Sequence, residues 1–147
     1  MKKLLFCLMA LATLALSGCE KEGDYSTDFS GMWALVADYY IEDGKEVYNL
    51  VEEVLSFEGG RLINYATRRD AGYAFKNGYL ECSRNDLCEP SIFNIELNGN
   101  KCFVSYETSY GGSYDDGYIQ IKGGILYWYE DDGSYGMYER IKGFNKD

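Results

Sequence analysis

Glycine-bearing turn signals divide this chain at short intervals: Asp43-Gly44, Gly59-Gly60, Asn77-Gly78, Asn98-Gly99-Asn100, Gly123-Gly124 and Asp132-Gly133. Each supplies the positive φ angles that a tight hairpin needs. Between them lie runs of strand-forming residues, "MWALVADYYI", "EVLSFE", "RLINYAT", "SIFNIEL", "KCFVSYE", "GYIQIK" and "ILYWYE". Leu50 to Leu55 comes closest to a helical stripe, but its flanking apolar residues read better as strand. The pattern predicts roughly eight to ten short strands joined by tight turns. Successive hairpins make a meander, and a meander this long must close on itself to hide its edges. The expected fold is therefore all-β, an up-and-down antiparallel β-barrel, with a β-sandwich as the alternative. Alternation on the strands assigns Phe93, Ile95, Leu97, Val104, Ile119, Ile121 and Leu126 to the interior.

The first residues follow a different logic. Lys2 and Lys3 precede an apolar run from Leu4 to Leu16, too short to span a bilayer of about 30 Å and patterned as a secretory signal. The run ends in Leu16-Ser17-Gly18-Cys19, which resembles the bacterial lipobox. That resemblance implies cleavage before Cys19, acylation of its thiol and a membrane held by acyl chains. Two or more chains make such an anchor effectively permanent. Glu20 after the cysteine, and the acidic residues Glu22 and Asp24, point to the outer membrane, on its periplasmic face or at the cell surface. The predicted organisation is a signal peptide over 1–18, a lipidated flexible tether over 19–30 and one barrel domain over 31–147.

Charge and composition exclude several function classes. The chain of 147 residues has a net charge of −10, and loss of Lys2 and Lys3 makes the mature form more acidic still. Such a surface repels nucleic acid and anionic head groups, so no nucleic-acid partner is expected. It attracts basic partners. The chain has no histidine, which removes the commonest general base, the Ser-His-Asp nucleophile system and imidazole metal ligands. Cys82, Cys88 and Cys102 remain once Cys7 leaves with the signal and Cys19 is acylated. In an oxidising compartment three thiols allow at most one internal bridge. Cys82 and Cys88, flanking the loop-like "SRNDL", are the first choice of pair, although spacing alone does not fix the pairing. Three thiols without a Cys-x-x-Cys pair do not make a metal site. No cofactor, no metal and no enzymatic activity are expected, and the domain is expected to be a monomer.

"GMW" opens the first long strand at Gly31–Trp33, and "YERI" closes the last one around Arg140. Between them stands "GYAFKNGYLEC". In these features residues 31–142 resemble the small bacterial lipocalin-like lipoproteins. The resemblance implies that Trp33 and Arg140 form a barrel-closing structural pair, the guanidinium stacked on the indole. Such a stack contributes about 0.5–2 kcal/mol. The chain is shorter than a typical lipocalin and lacks a C-terminal helical pattern.

Fifteen tyrosines suit a barrel wall, because the ring packs while the hydroxyl reaches water. They also suit an aromatic platform, and the candidates for ligand or partner contact are Tyr106, Tyr114, Tyr118, Tyr127, Trp128 and Tyr129. On "ILYWYE", Tyr127 and Tyr129 share one face and Trp128 takes the other. "SYDDGY" and "YEDDGSY" pair acids with glycine, but neither has the alternating ligand spacing of a calcium loop. The expected function is non-enzymatic binding of a small apolar or glycan ligand. The alternative is capture of a basic protein, as by lipoprotein inhibitors of lysozyme.

Overall fold

A computed structural model describes residues 24–68 and 72–147. Its strands, in chain order, are β1 (Tyr25–Ser26), β2 (Gly31–Tyr40), β3 (Gly44–Val47), β4 (Leu50–Val51), β5 (Glu53–Glu58), β6 (Arg61–Thr67) and β7 (Tyr73–Lys76). They continue with β8 (Tyr79–Leu80), β9 (Leu87–Asn98), β10 (Lys101–Glu107), β11 (Ser113–Lys122), β12 (Ile125–Tyr129), β13 (Tyr135–Arg140) and β14 (Gly143–Phe144). A 3-10 turn, Arg84–Asp86, stands between β8 and β9.

Eight of these strands form a closed antiparallel barrel in the order β2, β5, β6, β9, β10, β11, β12, β13 and back to β2. Consecutive barrel strands are neighbours throughout, so the barrel is the meander that the turn signals predict. Closure leaves no barrel edge to pair with another chain. The interior is packed by Trp33, Leu55, Leu62, Val104, Ile119, Ile121 and Leu126. Phe93 and Ile95 pack against this core from its margin. Leu97 departs from the expectation: it is 61% exposed. It stands one residue before the Asn98 turn, at the barrel rim, and alternation assigns a face but not a depth.

A second apolar cluster lies on the outer wall. Ala34, Val51, Val54, Leu80 and Cys82 are buried there, with Phe75 and Phe144 packed against them. A small sheet ordered β14, β8, β7, β4 supplies several of these residues. Thus β2 and β5 are covered on both faces: Trp33 and Leu55 point into the barrel, Ala34 and Val54 into the outer cluster. This explains why "MWALV" is a continuous apolar run rather than an alternating one.

Two further expectations are corrected. The folded body begins before Gly31. Tyr25 and Ser26 pair with Lys122 and Ile121 of β11, and Phe29 is 6% exposed in the barrel core, its ring 5.6 Å from that of Phe57. Residues 24–30 are therefore part of the domain, since Phe29 removes apolar surface from water on docking. Residues 1–23, including Cys19, lie outside the described residues. The Cys82–Cys88 bridge is not formed, and Cys82, Cys88 and Cys102 are all free. Cys82 turns into the outer cluster, whereas Cys88 sits on β9 opposite Ala66 and Cys102 lies in the barrel core. Burial pushes the thiols of Cys82 and Cys102 up to about 11.

Candidate functional site: the barrel mouth

The two ends of the barrel differ. One carries the Gly59, Asn98 and Gly123 turns and is plugged. There Trp33, 1% exposed, donates its indole N–H to the Phe29 carbonyl at 3.1 Å. The Arg140 guanidinium lies 4.3 Å from the centre of the indole. Arg140 also donates to the Ser30 and Asp28 carbonyls, and it is the direct cross-strand neighbour of Trp33. These contacts seal the end and tie the first barrel strand to the last.

The other end is open and holds a cavity of about 270 Å³. Its walls carry Phe93, Trp128 and Tyr138 together with the carboxylates of Asp38, Glu53, Asp116 and Glu130. Phe93 and Trp128 meet at right angles, with ring centres 5.5 Å apart and an interplanar angle of 89°. The indole N–H of Trp128 donates to the Asp116 carbonyl at 2.6 Å, which fixes that corner. Tyr138 donates its hydroxyl to Glu53 at 2.5 Å, and Tyr48 donates to Asp38 at 2.9 Å. A second hollow of about 670 Å³ beneath β3 shares Leu35, Asp38 and Glu53 with the first.

Two register irregularities place the aspartates. On β2, Trp33 and Leu35 face inward, so strict alternation would send Asp38 outward. The β2–β13 register shifts between Met137 and Tyr138, and beyond the shift Asp38 stands opposite Gly136 and lines the cavity. On β11, Ile119 and Ile121 face inward, and the β10–β11 register shifts between Phe103 and Ser105. Asp116 thereby lines the cavity as well. A bulge changes side-chain parity and re-aims the residues beyond it. Sequence reading missed Asp38 for this reason, whereas Glu53 shares the inward face of β5 with Leu55 by plain alternation. The one signal in the chain was a carboxylate interrupting an apolar run, in "LVADYY" and "LVEEVL".

Among the described residues the ion pairs are Arg84–Asp147 and Arg140–Asp28. Neither involves a mouth carboxylate, so the negative charge of the mouth has no cationic partner there. Burial, and then the nearby Asp131, raise the pKa of Asp116. Burial, followed by Asp132, Asp116 and Asp38, raises that of Glu130. A carboxyl whose pKa is raised by folding binds more protons in the native state, so stability falls as pH rises from the ordinary value through the raised one. Asp116→Asn and Glu130→Gln should therefore each raise the thermal midpoint at pH 7. The gain should vanish by about pH 3.5, below the ordinary values of 3.8 and 4.5. Circular-dichroism melts of each variant against the parent at both pH values check this. A gain of equal size at both would remove the carboxylate charge, disfavoured by burial and by its acidic neighbours, as the cause.

The six aromatic candidates fall into three places. Trp128 is in the cavity wall. Tyr106 and Tyr114, cross-strand partners, stack at 5.6 Å on the mouth rim, with Tyr106 edge-on to Phe93. Tyr118, Tyr127 and Tyr129 are outside, in a band that crosses five strands. Phe103, Tyr118, Tyr129, Tyr135 and Tyr39 are successive cross-strand neighbours, with ring centres 5.0–6.0 Å apart. Burial and the neighbouring rings push the Tyr129 hydroxyl up to about 12. These rings, stacked at Tyr39–Tyr135 and Tyr118–Tyr129 and tilted at the other two pairs, stand against one another and stabilise the wall. The two acidic loops, Asp115–Gly117 and Glu130–Asp132, border one hollow of about 420 Å³. Among the described residues no group of three or more acidic or cysteine side chains has the arrangement of a metal site.

No protein-family model matches the chain, and no curated protein matches it. Among solved structures it is similar to a lipocalin-like protein from Bacteroides uniformis. The identity is 14%, the alignment covers 76% of this chain and 97% of that one, and the TM-score is 0.48.

Proposed function

We propose that this protein is a non-enzymatic binding protein, held at the outer membrane by acyl chains on Cys19, that takes a small ligand in the mouth of its barrel. The observation that carries the reading is the convergence of aromatic rings and of carboxylates without cationic partners among the described residues around a cavity of about 270 Å³, above an interior filled by side chains. Ligand sites are typically concave, lined by aromatic groups, and few per protein. The filled interior argues against a long apolar ligand. The volume lies just below the roughly 300–1,000 Å³ of drug-sized sites and suits a compact molecule. Support for the anchor comes from Leu16-Ser17-Gly18-Cys19.

Tryptophan emission tests the site. The chain has two tryptophans; Trp33 is sealed in the core, and Trp128 lines the mouth. Titration of the mature protein with choline, maltotriose and lauric acid should change the emission for at least one probe. Trp128→Phe should abolish that change while Trp33 still emits. No response to any of the three would overturn binding in the mouth. For the anchor, Cys19→Ser should move the protein from the membrane to the soluble fraction, and retention in the membrane pellet would defeat the proposal. Capture of a basic protein is the competing reading, favoured by the net charge of −10. Its mark would be an association rate that falls steeply with salt.

A further inference from the structure

The geometry points to the class of ligand: a small organic ammonium, its alkyl groups in the Phe93–Trp128 corner and its charge facing the carboxylates of the mouth. This rests on the reading of the mouth as a binding site and adds the ligand's charge and shape. The corner is the first support. Two perpendicular rings with centres 5.5 Å apart both line the cavity, and aromatic faces attract alkylated ammonium groups. Trp128 is held there by its bond to the Asp116 carbonyl, so the corner is formed before any ligand arrives.

The second support is charge placement. Asp38, Glu53, Asp116 and Glu130 come from four different strands or turns and meet around the same cavity. Asp38 and Glu53 are steadied by tyrosine hydroxyls. Asp116 and Glu130 have no ion-pair partner among the described residues. Two independent register shifts turn aspartates into this space. The third support is exclusion. A fatty chain finds no room beneath the mouth, where Leu55, Leu62, Val104 and Leu126 fill the barrel. An anion would meet four carboxylates that have no ion-pair partner among the described residues.

The decisive pair of probes is choline and 3,3-dimethyl-1-butanol, which share a shape and differ in charge. Calorimetric titration of the mature protein at low salt should show choline binding at least about ten-fold more tightly than the alcohol, the order of a cation–π contact reinforced by opposite charge. Trp128→Phe should weaken choline. The double variant Asp116→Asn, Glu130→Gln should reduce the preference, with Asp38, Glu53 and the ring pair still in place, and a melt of the variant verifies that it is folded. Equal affinity for the two probes, or binding of maltotriose or lauric acid in place of choline, would overturn the ammonium assignment and leave the mouth as a site. Silence from every small probe would overturn both. Binding of lysozyme without binding of choline would also overturn the inference, by assigning the charge to a lysine-bearing protein surface.

Discussion

Trp33→Ala should destabilise the barrel by about 3–5 kcal/mol, the range for removing a large buried aromatic side chain. For a domain of this size that is a fall of roughly 10–20 °C in the thermal midpoint. The indole is 1% exposed, it donates to the Phe29 carbonyl, and it forms the floor on which Arg140 rests. Its loss opens a cavity at the sealed end and withdraws support from Phe29. Arg140→Lys should cost less, about 1 kcal/mol, because its side chain is 40% exposed and solvent screens it. The ammonium keeps the charge but loses the planar stack and the paired donors to Ser30 and Asp28. Urea unfolding of the two variants checks the order of effects. A loss below about 1 kcal/mol for Trp33→Ala would show that the plug does not hold the closure together.

Gly117→Ala should be the second large effect, about 2–4 kcal/mol for a single added methyl group. Gly117 has φ of +76°, and a Cβ there would overlap the Tyr129 carbonyl oxygen on the neighbouring strand. That obstacle is backbone, so no rotamer change relieves it, and β11 and β12 must separate locally. The same variant should weaken ligand binding in the mouth, since Gly117 belongs to the irregularity that turns Asp116 inward. Parallel unfolding and Trp128 emission measurements would read both effects. A variant as stable as the parent would place the strands farther apart than this geometry has them.

The barrel was legible in the sequence because its turns are local. Asp43-Gly44, Gly59-Gly60, Gly123-Gly124 and Asp132-Gly133 each act within a few residues, and a chain of hairpins has few ways to close. The nearness of Trp33 and Arg140 comes with closure of such a meander. The mouth was legible only in part, through Trp128 in its wall and Tyr106 and Tyr114 at its rim. Asp38 and Asp116 reach it through register shifts, which depend on the partner strand and leave no mark in the alternation of their own strand. The outer cluster was hidden for a related reason. Val51, Leu80, Cys82 and Phe144 lie in segments too short to show a period, and tertiary packing decides their burial. Phe29 stood in an aperiodic stretch, where one docked ring outweighs its polar neighbours.

The short strand at Tyr25–Ser26 places residue 24 at one end of the barrel. It is stitched to β11 at Lys122 and Ile121, and the Asp24 carbonyl accepts the Gly123 amide, all at the plugged end. With Cys19 acylated as proposed, the stretch from Cys19 to Tyr25 reaches at most about 20 Å. The bilayer then lies beneath the sealed base and the cavity looks away from it. Cargo would reach this protein from the aqueous phase, without first partitioning into lipid, and would leave the same way.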